Sequence, residues 1–384
     1  MTATNEAAFI GSNLRIARNF RGMTLADLAQ MVDVSHSSIH HFETELRKPD
    51  ELLVKALGQA LGFSPRYFFV PIKEEFREED CQFRSERMPV SLKTRVLAHG
   101  TVFGMYVRQV AVHLKAARLK FPTISIPSER ATGKEAVEQV AENSRRTIGL
   151  GLDRPITSMV RLLESRGVVV TRFGASTEES DALSVDAFSR MGTHPVVVLN
   201  TDKSSTSRAR WDIAHEFGHL ILHVGLRSGD PEQEKDADFF ASAFLLPRTG
   251  FLREFPHQTK LNWETVFAMK RRWKASAAAI VRRAYDLGRI DAIEYRRAWK
   301  HYMYRRWHKG EPDEPEDEPP ELLQNSLKHI EQRTGATPLF IAKELGWLPE
   351  TFNRIIGIDP MSQKPEAPEA SGRVIPFSRT RPTG

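Results

Sequence analysis

The chain has 384 residues with 40% hydrophobic and 27% charged residues and a net charge of +6. This composition excludes a fibrous or wholly disordered chain and predicts a folded protein with two or three domains. The sequence contains no apolar stretch of about 18 residues and no signal-peptide pattern, so we expect a cytoplasmic protein that does not contact the membrane.

Short amphipathic segments follow one another near the N-terminus and predict an all-α helix-turn-helix bundle over residues 8–70. Apolar residues recur three and four apart, and Thr24 and Ser35 stand where helix N-caps are expected. Residues 1–70 hold seven basic and seven acidic residues, so this module has no net charge. That balance is not typical of a strong DNA-binding surface.

The second helix of this module is the candidate recognition helix for the major groove of DNA. It offers Ser and His where base contacts most often use Arg, Lys, Asn or Gln. Binding to protein, or dimerisation through this module, therefore stays open as the alternative. The candidate DNA contacts are His36, Ser37, Ser38 and His40 for bases, and Arg47 and Lys48 for phosphates.

Residues 71–90 are charged and weakly periodic, which indicates a connector. An α+β peptidase-like domain is predicted over residues 91–250, with helices at 91–118 and 134–148. The β-branched runs VVVTRF and HPVVVLNT predict two strands. The second strand ends directly before the motif WDIAHEFGHLILH at residues 211–223.

The region 251–310 is predicted to be a basic helical extension, with fifteen basic and five acidic residues. Basic residues near Trp263 and Trp273 are typical of nucleic-acid binding, but the helical spacing equally predicts core tryptophans and a solvated basic face. Both interpretations stay open. The basic residues concerned are Lys270, Arg271, Arg272, Lys274, Arg282 and Arg283.

The remaining C-terminal sequence divides into three parts. EPDEPEDEPPE at residues 311–321 has seven acidic residues and four prolines, which predicts a solvated linker that does not pack. A small helical segment is predicted over residues 322–360, and a disordered tail over 361–384.

The motif HEFGH places His215 and His219 four residues apart, so both imidazoles project from one face of a helix. This spacing suits two adjacent corners of a zinc tetrahedron, while Glu216 suits the general base that deprotonates a metal-activated water. Because Cys81 is the only cysteine, the remaining ligand must be a histidine or a carboxylate.

Two candidates for the third ligand lie further along the chain. His223 is one turn beyond His219 and is better placed near the ligands than among them. Glu234 begins a second predicted helix, with Asp238 one turn later in position to hold a histidine of the first helix. The competing carboxylates are Asp230, Glu232 and Asp236, and the candidates for stabilising an oxyanion are Arg208, Arg210 and His223.

The stretch RARWDIAHEFGHLILH followed by EKDADFFASAFLLP resembles the ImmA/IrrE family of zinc metallopeptidases. The resemblance extends over about residues 130–310 and implies a zincin-like core with one zinc ion per chain. Carried over position by position, it implies that His215, His219 and Glu234 are zinc ligands and that Glu216 is the catalytic glutamate. Leu246 replaces the methionine with which the family's helix usually ends.

Residues 11–70 resemble the Cro/C1-type (XRE) helix-turn-helix family, with Asp33 and Glu45 in place of two usual glycines. Together the resemblances imply a cytoplasmic zinc endopeptidase that cleaves a regulatory protein, such as a repressor encoded nearby, in a stress response, mobile-element or toxin-antitoxin control. The alternative is a DNA-binding regulator or antitoxin whose metal centre is structural or sensory.

Overall fold

The computed structural model describes residues 8–78, 82–83, 90–120, 122, 126–173, 187–190, 194–200, 205–226 and 230–356. Within these ranges the chain is mainly helical and has one four-stranded sheet, which confirms the predicted fold class. None of the helices described there is long and apolar enough to cross a membrane. The predicted disordered tail, 361–384, lies outside the described residues.

The N-terminal bundle contains the predicted helix-turn-helix. Its helices are α1 (Gly11–Arg21), α2 (Leu25–Met31), α3 (His36–Glu43) and α4 (Glu51–Leu61). Thr24 forms a capping box with Asp27 at the start of α2, and Ser35 caps α3. Asp33 and Glu45 adopt the left-handed conformation at φ 53° and 61°. The replacement of two glycines therefore leaves the turn geometry in place, at some cost in backbone strain.

A small mixed sheet separates two hydrophobic cores. Its strands are β1 (Gln82–Phe83), β2 (Val169–Phe173), β3 (Ala187–Arg190) and β4 (Val196–Asn200), in the order β1-β3-β4-β2. Strands β2 and β4 are parallel, whereas β3 is antiparallel to both neighbours. Because side chains alternate along a strand, Val169 faces the core that contains the N-terminal bundle and Val170 faces the other.

The helices described between residues 90 and 304 build the second core, with the exception of α5 (Val90–Ala116). They are α5 (Val90–Ala116), α6 (Lys134–Thr147), α7 (Met159–Ser165), α8 (Thr206–Leu222), α9 (Pro231–Leu245), α10 (Arg248–Glu254), α11 (Trp263–Trp273), α12 (Ala277–Asp286) and α13 (Ala292–Tyr304). Helix α5 packs with the N-terminal bundle. It therefore belongs to the first core, with one face of β2 and β4, whereas its sequence position at 91–118 predicted that it shares the core of the peptidase-like domain.

The acidic segment (residues 311–321) packs along the second core, so the prediction of a solvated linker is wrong. Three of its carboxylates accept hydrogen bonds from backbone N–H groups in the first turns of helices. Glu311 caps α12, Glu314 caps α8 and Glu318 caps α7. Each carboxylate thereby satisfies orphan donors and meets the positive end of a helix dipole, which composition alone does not reveal.

Buried basic residues complete the binding of the acidic segment. The ammonium group of Lys270, which is fully buried, lies 2.7 Å from Glu311 and 2.6 Å from Glu314. The guanidinium of Arg210 is also fully buried and pairs with Glu318. The negative charge of the segment is thus partly balanced by cations that the core supplies.

The C-terminal helices pack on the N-terminal bundle and not on the peptidase-like core. They are α14 (Leu322–Thr334), α15 (Pro338–Glu344) and α16 (Pro349–Ile356). Trp347 is buried against the ring of Tyr106 in α5 and forms a backbone bridge with Phe63. At Gly346, which has φ 77°, an added Cβ would lie 2.4 Å from the backbone nitrogen of Tyr67. Only glycine permits this approach between the two ends of the chain.

Candidate metal centre

Two helices position the side chains of the candidate centre. Helix α8 starts at the N-cap Ser205, and α9 starts at the N-cap Asp230 with Pro231 in its first turn. Their close approach depends on Gly218, where an added Cβ would lie 3.0 Å from the ring of Phe240. The HEFGH motif therefore uses its glycine to bring α9 and its carboxylates against the two histidines.

Three side chains converge, and each imidazole faces one of the two carboxylate oxygens of Glu234. The Nε2 atoms of His215 and His219 lie 3.1 Å apart. The carboxylate oxygens of Glu234 lie 3.3 Å from Nε2 of His215 and 3.2 Å from Nε2 of His219. Ligand atoms bound tetrahedrally to zinc at 2.0–2.1 Å are about 3.3–3.4 Å apart. The two imidazoles and the carboxylate therefore lie close enough together to bind one zinc ion between them, which leaves a fourth position for water.

Two further side chains orient the histidines by contacting Nδ1, the ring nitrogen that does not face Glu234. Nδ1 of His215 lies 2.9 Å from the carboxylate of Asp238, and Nδ1 of His219 lies 2.9 Å from Nδ1 of His223. An imidazole that binds metal through Nε2 carries its proton on Nδ1. His215 would then donate to Asp238 and His219 would donate to His223, which leaves the remaining proton of His223 on Nε2.

Charge and burial act in opposite directions on the ionisable groups of the centre. Burial opposes protonation of His215, but its hydrogen bonds to Asp238 and Glu234 raise its pKa to about 9. Burial would raise the pKa of Glu234, but the two histidines lower it to about 2. For His223, burial and the neighbouring His219 lower the pKa to about 4, so it is neutral near pH 7. The donor set is thus an anionic carboxylate among imidazoles, which is the chemistry that zinc prefers.

The catalytic candidate Glu216 is fully buried beside the first histidine. Its charge is close enough to contribute to the raised pKa of His215. Because it follows His215 directly, it cannot share the histidines' face as a ligand, but it stays within reach of what they bind. The structure therefore brings together the whole predicted set: His215, Glu216, His219, His223, Glu234 and Asp238.

The chain between β2 and α12 carries this centre. Residues 163–285 match the IrrE N-terminal-like domain of the Peptidase_M78 family. Residues 14–68 match the helix-turn-helix family HTH_3, so the order of modules is the one that the two resemblances predicted. No curated protein matches the chain.

The competing carboxylates have other roles around the IrrE-like domain. Asp230 caps α9, Glu232 pairs with Lys235 at 2.6 Å, and Asp236 accepts a hydrogen bond from the backbone N–H of Gly133. Among the oxyanion candidates, Arg210 is held by Glu318 and so is directed away from the centre. Arg208 lines a pocket beside Asp238.

The candidate DNA contacts lie on an exposed face of the helix-turn-helix module. His36, Ser37 and His40 are exposed on α3, and Arg47 and Lys48 are exposed in the turn that follows it. Ser38 is half-buried, and its hydroxyl lies 2.8 Å from that of the cap Ser35. The face is accessible to a partner, but contact with DNA stays a prediction.

The basic helices α11 and α12 use their charges within the fold. Arg271 pairs with Asp313, Arg272 with Glu254, Arg282 with Asp286 and Arg283 with Glu138, while Lys274 donates to the backbone carbonyl of Thr157. Lys270 is buried under the acidic segment, and Trp273 is fully buried. These residues therefore hold the domain together, which disfavours their proposed use in binding nucleic acid. Except for Asp286, which lies one turn from Arg282, the partners come from other segments of the chain, so the sequence did not reveal these pairs.

Proposed function

We propose that the protein is a zinc-dependent endopeptidase that cleaves a specific regulatory protein. The observation that supports this most directly is the triangle of two Nε2 atoms and one carboxylate, with a buried glutamate beside it. The helix-turn-helix module would direct the peptidase to DNA or to a partner protein. A repressor or other regulator encoded nearby is the expected substrate class, and dimerisation through the N-terminal module is compatible with this role.

A zinc ion held by His215, His219 and Glu234 would polarise the scissile carbonyl and acidify a water molecule. Glu216 would accept the proton of that attacking water and pass it to the leaving amine nitrogen. Asp238 and His223 would keep the two imidazoles in the tautomer that presents Nε2. His223 would also present its Nε2–H as a hydrogen-bond donor, because that atom is buried without a hydrogen-bond partner among the described residues.

The Glu216→Gln substitution tests this proposal. We expect the variant to keep one zinc per chain but to lose about 10²–10⁴-fold in cleavage rate, since only the proton transfer is removed. Labelling of new protein N-termini in cells that express the native or the variant chain would identify the substrate. If both chains give the same set of N-termini although both hold zinc, the peptidase proposal is wrong.

The second candidate function is a DNA-binding regulator with a structural or sensory metal centre. The match of residues 14–68 to a helix-turn-helix family and the exposed face of α3 favour it. A gel-shift assay on the promoter of the protein's own gene tests it, with His36→Glu/His40→Glu as the variant. Loss of the shift in this variant, with unchanged binding in Glu216→Gln, would support DNA binding independent of proteolysis.

A further inference from the structure

A pocket of about 770 Å³ opens next to the candidate metal centre. It lies between the first turns of α8 and α12, the end of α13 and the acidic segment. Asp238 forms part of its wall, and the carboxylate of Asp238 is 2.9 Å from Nδ1 of His215. A single side chain therefore separates this pocket from a histidine of the metal centre.

Helix α8 connects the pocket to the centre along one face. Arg208 and Trp211 line the pocket, and His215 follows them at helical spacing of three and four residues. A rise of 1.5 Å per residue puts His215 about 10 Å along the axis from Arg208. An extended peptide covers this distance with about three residues. A substrate held at the metal centre can therefore place a nearby side chain in the pocket.

The wall of the pocket combines aromatic rings with cations. Trp211, Trp299 and Tyr302 contribute rings, and Arg208 and Lys309 contribute positive charge, whereas Arg282 is paired with Asp286. Of the acidic residues of the wall, Glu311 and Glu314 share the buried cation Lys270, and Asp238 contacts His215. Lys309 is exposed and has no ion pair within the part of the chain that the structure describes.

The stretch 296–309, called the rim here, supplies Trp299, Tyr302 and Lys309 to the wall of the pocket and is rich in exposed cations. The stretch 296–309 at the end of α13 has no acidic residue, and six of its residues are exposed Lys or Arg. They are Arg296, Arg297, Lys300, Arg305, Arg306 and Lys309. Unlike the cations of α11 and α12, which are bound within the fold, most of these point to solvent. Such a surface attracts an acidic partner and concentrates it at the pocket.

We propose that this pocket and its rim bind an acidic segment of the protein substrate that also carries a bulky apolar side chain, about three residues from the scissile bond. The proposal rests on the peptidase function above and names its substrate class. The position beside His215 favours a peptide over nucleic acid, because the reaction proposed for the neighbouring centre acts on a peptide bond. The rings would take the apolar side chain, and the rim would take the carboxylates.

Binding can be measured without cleavage in the zinc-loaded Glu216→Gln chain. The probes are fluorescein-labelled octapeptides of alternating Glu and Phe and of alternating Gln and Phe, followed by fluorescence anisotropy. We expect the Glu peptide to bind about ten-fold more tightly at 0.1 M salt, and this difference to shrink as salt screens the charges. Lys309→Glu should weaken binding of the Glu peptide about ten-fold. Lys328→Glu, an equally exposed lysine on α14, is the matched control and should leave binding unchanged.

Equal binding of the two peptides, or unchanged binding in Lys309→Glu, would overturn the proposal. A 20-base-pair DNA duplex that loses binding in Lys309→Glu, while the Glu peptide does not, would identify the rim as a nucleic-acid surface instead. These readouts are separate from the peptidase proposal, because they need no turnover. Peptide binding that depends on Lys309, in a chain that cuts nothing, would refute only the proposed peptidase activity.

Discussion

Replacing His223 by leucine should weaken zinc binding although His223 is not a proposed ligand. In the structure its Nδ1 lies 2.9 Å from Nδ1 of His219, and both rings are buried. Leucine removes the acceptor for the Nδ1 proton of His219 and leaves that N–H unsatisfied, which costs about 1–3 kcal/mol. This agrees with the 10–100-fold loss in metal affinity that is usual when a partner of a ligand histidine is removed, or about 1.4–2.7 kcal/mol.

The assay is competition for zinc between the protein and a chromophoric chelator at pH 7.5. His223→Gln retains an acceptor oxygen and should recover part of the lost affinity, while His257→Leu removes an exposed histidine far along the chain and should have no effect. Circular dichroism checks that each variant folds. Native zinc affinity in a folded His223→Leu chain would show that the contact with His219 does not orient the ligand.

Four further outcomes follow from the structure. Glu216→Gln should retain zinc by atomic absorption but lose cleavage about 10²–10⁴-fold. Lys270→Met should lower the free energy of unfolding in urea by about 3–5 kcal/mol, because buried carboxylates lose their cation, whereas Arg271→Met at an exposed pair should change it by under about 1 kcal/mol. Burial would raise the pKa of Glu314, but Lys270 and Ser207 lower it below its ordinary 4.5. Its contribution is therefore complete above pH 4.5 and lost as pH falls through the lowered value, so Glu314→Gln should destabilise at pH 7 and approach the native chain in acid. Asp33→Gly should raise the midpoint of thermal unfolding, since it relieves up to about 1 kcal/mol of left-handed strain.

The candidate metal centre could be predicted from sequence because its geometry is set locally. The four-residue spacing along α8 places His215 and His219 on one face of that helix. The same spacing along α9 places Glu234 and Asp238 on one face of theirs. The one long-range step, the contact between the two helices, depends on the buried apolar residues of α9 and on the small size of Gly218. Local periodicity therefore carried most of the information.

The acidic segment shows where such reasoning fails. Seven acidic residues and four prolines predict a solvated segment only if residues nearby in sequence are taken as the possible partners of each charge. Lys270 lies 41 residues from Glu311, and Arg210 lies 108 residues from Glu318. Nothing local marks these cations as buried, and nothing local shows that the acidic segment would accept further hydrogen bonds from the serine-capped first turns of α7, α8 and α12. The proximity of these groups is a property of the tertiary fold.

The same fold limits how the two modules can be separated by experiment. Helices α14, α15 and α16 bury Trp347 and Phe352 against the N-terminal bundle and α5, while the acidic segment before them caps α8, the helix that carries the candidate metal centre. Deleting residues 1–70 to test DNA binding would therefore expose the apolar face of the C-terminal helices. It would also free the end of the acidic segment, which is joined to those helices and caps α8. Loss of cleavage in such a deletion would report damage to the core and not a need for DNA. Substitutions on the exposed face of α3 avoid this ambiguity, because His36 and His40 contribute nothing to either core.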